Sequence, residues 1–330
     1  MKKLNTFGVD AVAKKLLCVD DKKIVSDWIE LGAELLEPVV VLGEGSNVLF
    51  VGDFDGIVLL NKIQGCELIK EDVSSVWVKV GGGESWDKFV GKCVDVGWYG
   101  LENLSAIPGT VGAAPIQNIG AYGVELDSVF ESLNAIDLYT AKTVEFSKEM
   151  CQFGYRESVF KHEYKDRFLI TDVTFRLAKV FVPVLNYGDL KEYFPDAKPV
   201  VAHAMRETIA RIRGEKLPDP SVIGNAGSFF KNPILTKKQF NQLVFEFPAV
   251  VHYPQADGKV KVAAAWLIDQ CGLKGYRRGD AGVHDKQALV LVNYGGASGK
   301  ELMELAAHIV KQVYKKFLLT LQIEPRILSV

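Results

Sequence analysis

Three glycine-rich turns fall within the first 123 residues, and each follows a strand-like run. Pro38-Val39-Val40-Val41-Leu42 leads into Gly43-Glu44-Gly45-Ser46-Asn47, and Val76-Trp77-Val78-Lys79-Val80 leads into Gly81-Gly82-Gly83. The third turn is Ile107-Pro108-Gly109-Thr110-Val111-Gly112-Ala113-Ala114-Pro115-Ile116-Gln117-Asn118-Ile119-Gly120-Ala121-Tyr122-Gly123. Glycine lets backbone N–H groups converge into a nest that holds an anion without any lysine. The third turn adds Thr110, Gln117, Asn118 and Tyr122, while its small residues let an extended ligand lie along the backbone. One such turn is ordinarily only a turn. Three of them, decorated in this way, point to a diphosphate-bearing cofactor.

Two look-alikes fail on spacing. Gly43-Glu44-Gly45 begins like GxGxxG, but Val48 occupies the third glycine position and strand-like residues follow. A dinucleotide fold needs a helix N-terminus there. Gly295-Gly296-Ala297-Ser298-Gly299-Lys300 resembles a P-loop, but it is one residue short, and Glu301 stands where a magnesium-binding hydroxyl belongs. Ser298-x-x-Glu301 reads instead as the capping box of a helix over 299–316.

The 330 residues suggest two domains, or three small ones, and need no disulfide or metal for stability. With 39 basic and 41 acidic side chains the net charge is −2, too balanced for general nucleic-acid binding. Cys18, Cys66, Cys93, Cys151 and Cys271 are odd in number and widely spaced. They read as buried small hydrophobes in a reducing compartment. The five histidines form no HxH or HxxxH pair, so no metal is expected. No signal-peptide h-region follows Lys2-Lys3 and no apolar run approaches about 20 residues. A cytoplasmic protein without membrane insertion is expected.

Helices are expected at 21–36 (Ile24, Trp28, Leu31, Leu35), about Ser85–Val96, His203–Arg213 (Met205, Ile209, Ile212), 262–271 and 299–316. Strands are expected at 38–42, 48–51, 57–60, 76–80, within 133–147, 167–176, 288–292 and Phe317–Ile323. A boundary is expected at Gly214-Glu215-Lys216-Leu217-Pro218-Asp219-Pro220, where two prolines deny helix and central strand.

Several segments together resemble the MurB-type UDP-N-acetylenolpyruvoylglucosamine reductase family. They are Leu42–Phe50, Ile107–Gly123, Tyr155-Arg156-Glu157-Ser158, Lys216–Pro220, Gly224-Asn225-Ala226-Gly227-Ser228-Phe229-Phe230-Lys231-Asn232-Pro233 and Ala264–Asp269. The resemblance runs from Asn5-Thr6-Phe7 to Glu324-Pro325-Arg326, and the segment around Tyr187 marks the longer, type I form. It implies an α+β fold: two FAD-binding subdomains of the vanillyl-alcohol-oxidase-like type (1–66 and 67–214), and a C-terminal α+β substrate-binding domain (215–317). The tail 318–330 is expected to return to the FAD-binding part.

The implied reaction is NADPH-dependent reduction of UDP-N-acetylglucosamine enolpyruvate to UDP-N-acetylmuramate, in peptidoglycan precursor synthesis and hence cell-wall biogenesis, cell shape and division. A monomer is expected. By the resemblance, Arg156 pairs the substrate carboxylate, Ser228 donates the proton and Glu324 serves the developing charge. FAD would be held by Gly43, Glu44, Gly45, Ser46, Asn47, Ile107, Pro108, Gly109, Thr110, Gly112, Ala113, Gln117, Asn118, Gly120, Tyr122, Gly123 and Arg213. The UDP-sugar would be held by Tyr187, Lys216, Asn232, Tyr253, Lys261, Lys274 and Gln287. No His or Cys occurs in 43–50 or 107–123, so the FAD is expected to be non-covalent. Two other readings remain open: an FAD-dependent oxidase or dehydrogenase of similar fold, and a non-catalytic nucleotide-sugar binding protein.

Overall fold

The computed structural model describes residues 1–30, 37–194 and 199–329. By contact the chain divides into two compact units, one of residues 1–12, 45–54 and 214–330, the other of 13–44 and 55–213. The expected first segment, 1–66, is therefore shared between them.

In the unit of 13–44 and 55–213, β-branched runs build two sheets. Val39–Leu42 lies parallel to residues 57–60, and Ala13–Val19 completes a three-stranded sheet. A five-stranded antiparallel sheet runs in the order Thr143–Ser147, Phe130–Asp137, Phe168–Ala178, Ser75–Gly81, Cys66–Glu71. The helix Trp86–Val96 buries Trp86, Phe89, Val90 and Cys93, and Trp86 meets Phe175 edge-on at 5.9 Å. Gly97 ends it in the left-handed conformation. Asp21 begins the helix Lys22–Glu30 by accepting from the Lys23 N–H at 2.8 Å. Leu31 and Leu35, expected on its apolar face, lie outside the described residues. The helix Ala202–Lys216 buries Met205, Ile209 and Ile212 and runs three residues past the expected end.

The other unit carries an antiparallel sheet ordered Gly224–Ser228, Val290–Asn293, Ala281–Val283, Arg277–Arg278. Beside it are a small sheet of Ile234–Leu235, Val260–Val262 and His252–Pro254, and a parallel pair, Arg326–Leu328 with Val48–Phe50. Both halves of the expected capping box are formed. Ser298 Oγ accepts from the Glu301 N–H at 3.2 Å, and Glu301 Oε2 accepts from the Ser298 N–H at 2.8 Å. The helix Gly299–Phe317 buries Leu302, Leu305, Ile309 and Val313 against the core, each such side chain contributing about 1.5–3 kcal/mol. A Cβ on Gly299 would lie 1.7 Å from the Phe50 carbonyl oxygen. That glycine serves helix–strand contact, not a phosphate.

Two expectations are corrected, and one helix is new. Phe317–Ile323 is not a strand: Phe317 ends the helix, Leu318 turns the chain with φ 55°, and only an isolated bridge joins Ile323 to Phe230. The strand comes later, at Arg326–Leu328, once Pro325 is passed. Phe317 and Leu321 are buried, so the apolar pattern records core packing without a ladder. The helix Lys237–Glu246, absent from the reading above, opens on a complete Thr236/Gln239 capping box. Cys18 is exposed rather than buried, whereas burial pushes the Cys151 thiol up to about 12.

Among the described residues no helix is long and apolar enough to cross a membrane. Leu318 offers a stability test. It is exposed and left-handed, a conformation costing a side-chain-bearing residue about 1–2 kcal/mol. Leu318→Gly is expected to raise the unfolding free energy by about 0.5–1 kcal/mol, read as a higher urea midpoint, since part of the gain goes to the looser unfolded chain. A lower midpoint would mean that Leu318 packs more than its exposure indicates.

Candidate active site

In the unit of 13–44 and 55–213, two of the three glycine turns are joined directly. The Gly109 N–H donates to Glu44 Oε2 at 3.0 Å, and a Cβ on Gly43 would lie 2.2 Å from Thr110 Oγ1. Gly43 is glycine because Thr110 takes its space. The N–H groups of Gly43, Glu44 and Thr110 have no hydrogen-bond partner among the described residues. Three unspent donors at abutting glycine turns fit the oxygens of a diphosphate. The Gly81–Gly83 turn differs. A Cβ on Gly82 would meet the Ile170 carbonyl oxygen at 2.3 Å, and one on Gly83 the Lys62 carbonyl carbon at 2.4 Å. That turn is filled by protein backbone, and Gly112 packs on it through its N–H to the Gly82 carbonyl at 2.9 Å.

Further along, residues 111–117 form a short 3-10 helix, and Asn118, Tyr122 and Gly123 then take positive φ values of 44°, 49° and 82°. Arg156 also has positive φ, 58°, in a turn closed by reciprocal bonds between Gly154 and Glu157, both 3.1 Å. Its Nη2 donates to the Gly120 carbonyl at 2.6 Å. A Cβ on Gly120 would sit 2.9 Å from Arg156 Nη1, so glycine makes room for the guanidinium. Tyr122 and Tyr187 meet edge-on at 6.3 Å. Burial raises the Tyr122 hydroxyl above its ordinary range while Arg213 opposes that rise. Burial likewise lowers Arg213, with Tyr122 opposing, and its Nε donates to the Ala106 carbonyl at 3.2 Å. Arg156, Tyr187 and Arg213 thus share this unit with the 107–123 loop. Asn118 is an exception among the expected cofactor residues: it is fully buried and its side chain is spent on protein partners.

In the unit of 1–12, 45–54 and 214–330, Ser228 ends its strand opposite Val290. The ladder shifts between Asn225 and Ser228, where Gly227 has φ 68° and its N–H donates to Asn225 Oδ1 at 2.9 Å. Behind Ser228, Phe229 and Phe230 are buried in the core. The Phe229 carbonyl accepts from the Glu324 N–H at 2.9 Å, which sets Glu324 beside Ser228. The Asn47 carbonyl accepts from the Arg326 N–H at 2.9 Å, which brings the 45–47 turn to the same place. Gly45 packs on the N-terminal segment, where a Cβ would lie 2.0 Å from the Leu4 carbonyl oxygen.

Tyr253 and Lys261 are cross-strand partners. Val260 and Val262 are buried and flank Lys261, so the Tyr253–Lys261 pair takes the other face. Next to them the Val262 N–H bonds the Pro233 carbonyl, and Asn232 Oδ1 accepts from the Ala264 N–H at 2.9 Å, capping the helix Ala264–Gln270. Lys216 is exposed at the end of its helix. Lys274 is exposed, 3.8 Å from Asp269. Gln287 turns the loop before Val290.

Two buried polar residues escaped the sequence reading. Asn103 Nδ2 donates to the carbonyls of Tyr122 (2.8 Å) and Val184 (2.9 Å), fastening the Tyr122 turn. His284 is buried, and its Nδ1 has no hydrogen-bond partner among the described residues. Asn103 carries no local signal because its partners are distant in sequence.

Comparison with known proteins agrees with this architecture. Residues 13–147 match the family described as "FAD binding domain". Residues 219–328 match the C-terminal domain of UDP-N-acetylenolpyruvoylglucosamine reductase. The reductase of that name from Escherichia coli (strain K12) is 46% identical over 330 residues, 100% of this chain and 95% of that protein. The one from Paraburkholderia xenovorans (strain LB400) is 48% identical over 98% of this chain and 95% of its own length. The crystal structure of the MurB reductase from Thermus caldophilus superposes with a TM-score of 0.67 at 25% identity, covering 99% of this chain and 97% of that one. The fold is therefore α+β, an FAD-binding part joined to a C-terminal domain of that reductase type.

His284 gives a test by pH. Burial lowers its pKa below the ordinary 6.5, with Asp285 opposing, so the folded unit prefers the neutral ring. That contribution to stability is complete above about pH 6.5 and is lost as pH falls through the lowered value. The wild-type unfolding free energy from urea titration should therefore drop between pH 7 and pH 5 by up to about 1.4 kcal/mol per pH unit more than that of His284→Gln. Parallel profiles would show that His284 titrates alike folded and unfolded.

Proposed function

The chain belongs to the UDP-N-acetylenolpyruvoylglucosamine reductase family, and from that premise we propose that it reduces the enolpyruvyl ether of UDP-N-acetylglucosamine to UDP-N-acetylmuramate with NADPH. It does so as a cytoplasmic monomer in peptidoglycan precursor synthesis. The observation that supports the reading is the Glu324 N–H to Phe229 carbonyl bond, 2.9 Å, which joins the backbone at Glu324 to that next to the candidate acid Ser228 within one unit.

When bound, FAD supplies hydride transfer from NADPH to the terminal alkene carbon, chemistry no side chain performs. Gly43, Glu44 and Thr110 would hold its diphosphate through the donors described above. Arg156 pairs the substrate carboxylate: a guanidinium stays charged and presents a planar fork. As charge builds on the carbon beside that carboxylate, Ser228 donates its proton there. The alkene thus gains hydride at one carbon and a proton at the other. Phe229 and Phe230, both buried, keep water from competing for that position. Glu324 must be protonated or compensated when it acts, since an ionised carboxylate would repel the growing charge. Tyr187, Lys216, Asn232, Tyr253, Lys261, Lys274 and Gln287 are assigned to the UDP-sugar. The lysines face phosphate charge, and the tyrosines face the sugar or uracil.

Ser228→Ala should bind FAD and be bleached by NADPH without oxygen at near the wild-type rate. Recovery of the flavin colour on adding the enolpyruvyl substrate should slow by about 10²–10⁴-fold. Stopped-flow absorbance separates the two steps. Equal slowing of both would make Ser228 structural, and slowing of neither would place the proton elsewhere. A protein that NADPH never bleaches would instead be a non-catalytic nucleotide-sugar binder. Acid precipitation should leave the yellow chromophore in the supernatant; colour in the pellet would indicate a covalent flavin and an oxidase-like relative.

A further inference from the structure

Arg156 is held at both ends. At its head, Nη2 donates to the Gly120 carbonyl at 2.6 Å. At its foot, the turn that carries it is tied by Asn118 Nδ2 to the Gly154 carbonyl at 3.2 Å. Asn118 and Gly120 are two residues apart, so one short stretch of backbone fixes the guanidinium and the turn together. The closed path runs from Asn118 to Gly120, through the guanidinium to Arg156, and back through Gly154 to Asn118.

Asn118 suits that branch point. It is fully buried with φ 44°, a left-handed conformation asparagine tolerates better than most residues. It spends a donor on Gly154, a donor on Glu125 Oε2 at 3.0 Å, and its Oδ1 on the Asp127 N–H at 3.0 Å. These contacts leave its side chain no polar atom for a cofactor. Loss of the side chain would let the turn slide relative to Gly120 and carry Arg156 with it.

We propose that Asn118 is a positioning residue for Arg156: it sets where the guanidinium meets the substrate carboxylate and does not contact the cofactor. The proposal rests on the reading that Arg156 pairs that carboxylate. Its signature is therefore discrimination between two ligands, the enolpyruvyl substrate and UDP-N-acetylglucosamine, which lacks the carboxylate.

The test uses FAD-loaded protein and equilibrium titration of both ligands. Asn118→Gly removes the side chain yet keeps the positive φ available. Asn118→Asp keeps the shape and the acceptor for Asp127, but turns a carboxylate toward Glu125 and the Gly154 carbonyl. Both should retain FAD and wild-type affinity for UDP-N-acetylglucosamine. Both should lose about tenfold or more of the preference for the enolpyruvyl ligand, because small misplacement of a charged clamp is costly. Arg156→Ala should abolish the preference, and adding Asn118→Gly to it should change nothing further.

Equal weakening of both ligands, loss of FAD, an unchanged preference, or full additivity with Arg156→Ala would each overturn the positioning role. If Asn118→Gly fails to fold, Asn118→Asp decides by the same four outcomes. Arg156→Ala retaining the preference would overturn the carboxylate reading itself, and that result is distinct from every outcome at Asn118.

Discussion

A backbone bond, Glu324 N–H to the Phe229 carbonyl, ties the C-terminal segment to the end of the strand that carries Ser228. It belongs to a short series. The Lys231 N–H reaches the Gln322 carbonyl, the Arg326 N–H reaches the Asn47 carbonyl, and Arg326–Leu328 then runs parallel to Val48–Phe50. Parallel pairing cannot form between near neighbours in sequence, so the link needs a long connection between its strands. Here the connection includes the whole C-terminal part of the chain. The link is made of backbone throughout.

The other unit depends on strain instead. Ala106, Asn118, Tyr122 and Arg156 all carry side chains in the left-handed region. Each such residue costs about 1–2 kcal/mol less whatever its own side chain recovers locally. Strain of this kind persists where surrounding bonds over-determine it. The surrounding bonds are plain: Asn103 holds the Tyr122 carbonyl, Lys161 Nζ holds the Arg156 carbonyl at 3.1 Å, and Ser158 Oγ holds the Ile116 carbonyl at 2.6 Å. Ala141, Gln152 and Asp166 of the same unit are left-handed as well, at turns to which no ligand is assigned, so strain of this kind is shared between the candidate site and ordinary turns.

What the sequence made legible follows the range of the forces involved. Ser298-x-x-Glu301 and the apolar stripe behind it are local, and they described the helix Gly299–Phe317 almost to its ends. The strands before the glycine turns were legible for the same reason. Phe317–Ile323 was not, because burial marks a residue as apolar whether or not a ladder forms. Nor could any spacing reveal that 45–54 joins 214–330, since the pairing partner of Val48–Phe50 lies at the far end of the chain. The roles of Arg156, Ser228 and Glu324 came from resemblance alone. Periodicity and composition would have left all three as ordinary surface or turn residues.

The glycine turns show where sequence chemistry stops and geometry begins. Gly43 and Gly82 sit in similar settings, each at the end of a β-branched run. Gly82 is glycine because the Ile170 carbonyl presses against it, and that turn has nothing left to offer a ligand. Gly43 is glycine because the Thr110 side chain presses against it, and here the N–H groups of Gly43, Glu44 and Thr110 have no hydrogen-bond partner among the described residues. A glycine therefore reports close approach without saying what approaches. What separates the turns is where their N–H groups go: those of Gly81, Gly82 and Gly83 reach the carbonyls of Gly65, Thr171 and Ile63, whereas those of Gly43, Glu44 and Thr110 meet no partner among the described residues.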